Sequence, residues 1–168
     1  MEKNNWFGRW IYSFIILSVG WLLFTFPYNQ EELIVGLIAS FVISLFTANF
    51  FKEFGLKSFS PMRIIGLILY IPYILWEIVI ANLEVAKIVL SPNLPIKPAI
   101  VKAKTTLKSD FGKMLLANSI TLTPGTLTLD IDGDDVYIHC LKIEDTSEEN
   151  ATKTITAKFE KHLRRFVV

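Results

Sequence analysis

LIVGLIASFVISLFTANFF, residues 33–51, is a run of nineteen residues without a charged side chain. A helix that crosses a bilayer needs about 20 predominantly apolar residues, within a range of roughly 17–25, so this run is long enough. Similar runs lie on either side of it. Residues 10–26 are seventeen without a charge, at the short edge of the range, so this first crossing is the one expected to be incomplete if any is. Residues 64–90 number twenty-seven, and the first thirteen carry no charge, enough to cross and then protrude. A buried soluble helix would show a polar stripe at a 3.6-residue period, and the first run shows none. Lys3 and Arg9 ahead of it resemble a signal peptide, but the run ends Phe24-Thr25-Phe26-Pro27-Tyr28 without the small residues of a cleavage site. Residues 1–90 therefore read as a transmembrane helical domain with helices over 10–26, 33–51 and 62–90.

Composition divides along the same line. The chain has 168 residues, 52% hydrophobic and 20% charged, against about 25% charged in an ordinary soluble domain. Residues 1–90 hold six Lys/Arg and six Asp/Glu, residues 91–168 eleven and ten, and all four Trp precede residue 77. The net charge of +1, with Lys interspersed among acids, argues against nucleic acid, which needs clustered cations. The single cysteine, Cys140, excludes an intrachain disulfide and fits a reducing compartment.

Punctuation supports the helices. Pro27-Tyr28-Asn29-Gln30 reads as a tight turn that makes the first two helices a hairpin. Ser60-Pro61 reads as the N-cap and first residue of the third helix. Pro72 inside that helix removes a backbone hydrogen bond and is expected to bend it. Orientation is conflicted. The hairpin turn carries Glu31 and Glu32, while Lys52, Lys57 and Arg63 mark the second connection as cytoplasmic by the positive-inside rule. Three crossings would then put the C-terminal domain outside, yet it opens with Lys97, Lys102, Lys104 and Lys108.

Charged and polar residues return along the third helix as Glu77, Asn82, Glu84 and Lys87. Glu77 stands thirteen residues beyond Ile64, about 20 Å along a helix, within a hydrocarbon layer about 30 Å thick. An acid at that depth is a functional candidate by default. The alternative is a structural contact with a polar or basic neighbour. The other two apolar runs contain no base, so a partner on another chain is one expectation. Glu77, Asn82 and Glu84 are the ion-path candidates, with Glu84 and Lys87 three apart and able to pair at the interface.

Residues 91–98 hold three prolines and form a stiff link. Beyond it, residues 99–168 alternate as a β-α-β-β-α domain. A strand over 99–106 is followed by a helix over 110–118, then by strand-like 120–122 and 126–131 around Thr123-Pro124-Gly125. Asp132-Gly133 leads into a hairpin strand over 136–141. A helix over 147–166 is capped by Ser147, with Glu148 and Glu149 in its first turn and Arg164 and Arg165 in its last. The fold class is thus a membrane protein with three N-terminal transmembrane helices and a small C-terminal α+β domain. His139 alternates with apolar neighbours as a structural strand residue does, and His162 sits near a helix end. Asp130, Asp132, Asp134 and Asp135 resemble a calcium loop, but position twelve is Leu141 instead of Glu, so a solvated turn is the better reading. No grouped nucleophile and base, paired cysteines or phosphate loop stands out, and no metal or cofactor is expected.

Leu116-Ala117-Asn118-Ser119-Ile120-Thr121-Leu122-Thr123-Pro124-Gly125-Thr126, followed by a strand containing His139, resembles the E subunit of the Mrp (Mnh) multisubunit cation/proton antiporters. So do Trp76-Glu77, Ala81-Asn82-Leu83-Glu84-Val85 and the proline-containing link. The string Ile-Thr-Leu-Thr-Pro-Gly-Thr is the most specific part. The resemblance implies a multi-pass component of a hetero-oligomer in the plasma membrane that exchanges Na⁺ for H⁺. Other antiporter subunits and lipid would be its partners, and its C-terminal domain would be cytoplasmic. It makes Thr121, Thr123, Pro124, Gly125 and Thr126 interface candidates, against a bland reading in which Pro and Gly set a turn and the Thr hydroxyls bond locally. A standalone membrane-anchored binding module is the alternative function.

Overall fold

Asn29 shows how local chemistry starts the second helix. In a computed structural model, which describes residues 6–27, 29–50 and 60–167, its side chain accepts from Glu32 N at 2.8 Å while the Glu32 carboxylate accepts from Asn29 N. This capping box satisfies two backbone donors at once. It opens α2, Gln30–Thr47, after α1, Trp6–Phe24. Tyr28 of the expected turn, Phe51 of the expected second helix, and Lys3, Lys52 and Lys57 lie outside the described residues.

The chain divides into two units, Met1–Ser60 and Pro61–Val168. In the first, α1 and α2 form the expected hairpin. Ser13 and Thr47 hydroxyls meet at 2.7 Å, and the Trp21 indole donates to Glu32 O at 3.1 Å, so the helices run antiparallel. Gly36 leaves no room for a Cβ against the Trp21 ring. Buried Ser13, Gly36, Ser40 and Ser44 line the contact. Small residues of this kind allow close backbone approach where lipid supplies no hydrophobic drive between helices.

The second unit contains the third helix and everything after it. The helix α3, Pro61–Leu90, runs unbroken through Pro72. With α1 and α2 it makes three helices long and apolar enough to cross a membrane among the described residues. By packing, α3 groups with the α+β domain.

That domain is built in the expected order. Strands β1 (Ala99–Lys104), β2 (Thr126–Asp132) and β3 (Asp135–Cys140) form an antiparallel sheet in the order β1-β3-β2. Leu129 bulges from β2, where the register shifts between Thr128 and Asp130. Ser109 caps α4 (Asp110–Leu122) through Gly112 N at 3.2 Å. Ser147 caps α5 (Glu148–Ala151), which passes through a π-helical turn, Thr152–Thr156, into α6 (Ala157–Leu163). One expectation fails here. Residues 120–122 are the last turn of α4, not a strand. Leu116 and Ile120, four apart and both fully buried, stack on the core face, and packing overrides the weak β-preference of Ile and Thr.

Val101, Ala103, Val136, Ile138 and Cys140 alternate inward from the sheet onto Leu116, Ile120, Phe159 and Leu163. A buried carboxylate closes one end of this core. Glu160, 4% exposed, accepts from Thr105 Oγ1 at 2.5 Å, Thr106 N at 3.0 Å and Thr106 Oγ1 at 2.5 Å, with Arg164 at 3.3 Å. It ties the exit of β1 to α6. Replacing Glu160 by Ala strands these donors, each at about 1–3 kcal/mol if left unsatisfied. The expected result is a lower thermal unfolding midpoint for the detergent-solubilised chain, with Glu160→Gln intermediate.

Candidate functional site

The polar residues of α3 gather on one side of the helix. Tyr70, Tyr73, Glu77 and Glu84 recur at spacings of three, four and seven, which is one helical face. All four turn toward the domain. The Tyr70 hydroxyl bonds the Ser119 hydroxyl of α4, and its ring packs 5.5 Å from Phe166. Tyr73 stacks on His162 with ring centroids 3.8 Å apart and planes 16° from parallel, and its hydroxyl donates to Lys158 O at 3.3 Å.

Glu77, 8% exposed, forms an ion pair with Lys158 of α6. Its partner is therefore in its own chain, not on another one. The bases of the domain, which folds back over α3, supply what the apolar runs lack. Beside the pair lies a cleft of about 150 Å³ lined in part by Glu77, Glu84, Thr123, Pro124, Thr126 and Lys158. The structure thus brings two ion-path candidates and three residues of the Thr-Pro-Gly-Thr motif into one place. Asn82 stays out of it. It is exposed, and its amide donates to Ile78 O at 2.8 Å. Thr121 is also apart, accepting from Thr128 N at 3.2 Å.

The motif has a local structural task. Thr123 and Thr126 hydroxyls each reach Ile120 O at 2.7 Å and lie 3.0 Å from each other, adding to the backbone N–H of Thr123 that the same carbonyl accepts at the end of α4. Gly125 has φ +92° and its carbonyl accepts from Leu141 N at 2.7 Å. A Cβ there would also touch Val85 of α3 at 3.4 Å. The turn therefore ends the helix, starts β2 and abuts α3.

Of the four aspartates of the hairpin, Asp134 and Asp135 are engaged by lysines. Asp134 is held by Lys108 at 2.6 Å and Lys113 at 3.6 Å, and Asp135 by Lys102 at 2.9 Å and by Lys104. The Lys108 hydrogen bond holds the Asp134 carboxyl below its ordinary value, and those from Lys104 and then Lys102 do the same for Asp135. Among the described residues, no three His, Cys, Asp or Glu side chains are grouped to hold a metal ion. His139 lies on the sheet opposite Ile100 and Leu127. Sequence reading missed Tyr70, Tyr73, Lys158 and Glu160. The spacing of Tyr70, Tyr73, Glu77 and Glu84 was a signal available for the first two, whereas Lys158 and Glu160 are ordinary exposed-looking residues of a helix.

Helical hairpin, apolar third helix and seated α+β domain define an integral-membrane protein whose polar residues join a membrane helix to a small domain. The sequence profile of the Na⁺/H⁺ ion antiporter subunit family matches residues 14–166. The E subunit of the Na⁺/H⁺ antiporter of Alkalihalophilus pseudofirmus is 34% identical, over 88% of this chain and 90% of its own. That of Bacillus subtilis is 37% identical over 77% and 82%. A chain in the structure of the membrane-bound sulfane sulfur reductase, an archaeal respiratory membrane complex, matches with a TM-score of 0.87. It is 48% identical, over 95% of this chain and 99% of its own. The chain belongs to the family of Na⁺/H⁺ antiporter E subunits.

Two outcomes test the site. Gly125→Ala forces a side chain into a left-handed backbone, a strain of order 1–3 kcal/mol, and should lower the unfolding midpoint while Pro124→Ala lowers it less. For the hairpin, folded carboxyl values below the ordinary ~3.9 mean that its stabilisation is complete at neutral pH and is lost as pH falls below about 4. Amide exchange across β2 and β3, corrected for intrinsic rates, should accelerate as pH falls from about 5 to about 3, and do so less in a Lys108→Gln variant.

Proposed function

We propose that this chain is an accessory, non-catalytic part of a multisubunit membrane complex that exchanges Na⁺ for H⁺, with other antiporter subunits as its partners. The observation that carries the reading is the family match over residues 14–166. Residues 1–90 would be the membrane-bound part, 91–98 the link and 99–168 a domain on the cytoplasmic side, where the lysines that open it favour it. To the cleft of Glu77, Glu84 and the Thr123–Thr126 turn we assign the support of assembly. The engagement of the Glu77 carboxylate by Lys158 favours that role over direct contact with a moving ion.

The 48% identity to a chain of a respiratory membrane complex favours a second setting for the same protein. The exchange module would there be joined to redox subunits. Gentle detergent extraction of the tagged chain from its own membranes should yield several smaller membrane proteins and one or two large ones. A chain that migrates alone would support the standalone binding module instead. If reduction of sulfane sulfur accompanies the purified complex, the respiratory setting holds; exchange driven by a pH gradient alone marks the antiporter. Glu77→Gln should reduce the amount of assembled complex and leave Na⁺/H⁺ exchange per complex unchanged. A loss of exchange at full assembly would return Glu77 to the ion path.

A further inference from the structure

The geometry of α3 points to a helix that lies lengthwise in one face of the membrane, with its free side in the acyl layer and the α+β domain seated on the other side. Contacts with the domain run along almost the whole helix. At the start, a Cβ on Gly66 would lie 3.1 Å from Phe166 and 3.2 Å from Arg165. Then come Tyr70 with Ser119, Tyr73 with His162, Glu77 with Lys158, and Val85 against Gly125. Gly66 to Val85 is about 28 Å at ~1.5 Å per residue, nearly the full thickness of a hydrocarbon layer of about 30 Å. Only residues 61–65 precede the contact.

A crossing α3 would therefore carry the domain to bilayer depth. Lys158, Arg164 and Arg165 would enter hydrocarbon with it, and so would β1 and β2, the two edge strands of the sheet. Open sheet edges and solvent-exposed cations do not face lipid. The other side of α3 has the opposite character. Ile64, Ile68, Ile71, Leu75, Val79 and Leu83 are exposed along it, Ile68 and Leu83 at 59%. Asn82, the polar residue among them, donates its amide to the helix's own Ile78 carbonyl. Uncharged aliphatic side chains over the length of a helix, in a chain with a membrane hairpin, fit lipid. An interfacial helix buries such a face by about 5–10 Å.

This arrangement also removes the charge conflict. With the hairpin as the crossing element, the connection bearing Lys52, Lys57 and Arg63 lies on the same side as Lys97, Lys102, Lys104 and Lys108, opposite Glu31 and Glu32. Three crossings would separate the two basic groups, against the positive-inside rule. The inference rests on membrane attachment and not on the partner subunits proposed above, so each can fail separately.

The test uses the full chain, in its native complex or reconstituted in phosphatidylcholine–phosphatidylglycerol vesicles. Nitroxides are attached at Ile68→Cys, Leu75→Cys and Leu83→Cys, one at a time. Cys140 can remain, because burial pushes its thiol up and it labels poorly at neutral pH. All three labels should report one shallow depth with high access to oxygen and low access to a nickel chelate. A depth that rises and then falls along the series overturns the proposal, as does exclusion of both reagents, which would mean a protein covers the face. Sidedness is an independent measurement. Lys57→Cys and Asn150→Cys should react with an impermeant maleimide from the same side of sealed vesicles, and reaction from opposite sides refutes the arrangement.

Discussion

The way α3 meets the α+β domain depends on a seam centred on the ion pair of Glu77 with Lys158. A carboxylate left alone on an apolar helix would be costly wherever the helix lay against lipid or protein. Lys158 removes that cost and locates α6 along the helix axis. Tyr73 adds direction, since its ring stacks on His162 while its hydroxyl reaches the backbone of Lys158. Four residues on two helices thus determine both the height and the rotation at which they meet. Tyr70 and Ser119 repeat the arrangement nearer the start of α3, so the domain is held at two points and cannot pivot about one.

The domain can meet a rigid partner helix because its own surface is held from beneath. Glu160 binds β1's exit to α6 on one side of Lys158, and the Thr-Pro-Gly-Thr turn closes α4 against β2 on the other. Both are polar constructions within an apolar core. Both replace lost helix or strand partners with side-chain oxygens, which keeps buried backbone groups satisfied. The turn in particular serves two ends: it caps a helix, and through Gly125 it lets the chain come close to Val85.

Much of this was legible from the residues. The three apolar runs, the hairpin, the β-α-β-β-α order and the cap at Ser147 all follow from local chemistry, because lipid-length apolar runs and side-chain caps act over a few residues. Where the reading failed, the deciding force was long-range. Residues 120–122 look like a strand by propensity, and only the core contact of Ile120 with its helical neighbour Leu116 makes them helix. The partner of Glu77 lies eighty-one positions away, and nothing local marks Lys158 among the other lysines of its helix. The stripe of Tyr70, Tyr73, Glu77 and Glu84 is an intermediate case. Its spacing was visible, but hydropathy averages a helix over all its faces and so concealed it.

That averaging has a general consequence for α3. An apolar helix scores as a span whether its apolar residues face lipid on every side or face lipid on one side and protein on the other. The two situations differ in what the polar residues do. On a spanning helix they must find partners on other membrane helices or be few and near the ends. On α3, Tyr70, Tyr73 and Glu77 all find theirs in an α+β domain that carries open sheet edges and exposed lysines. A domain of that kind cannot follow a helix into hydrocarbon. The direction in which Glu77 points therefore says more about how α3 meets the membrane than the length or the hydropathy of the helix does.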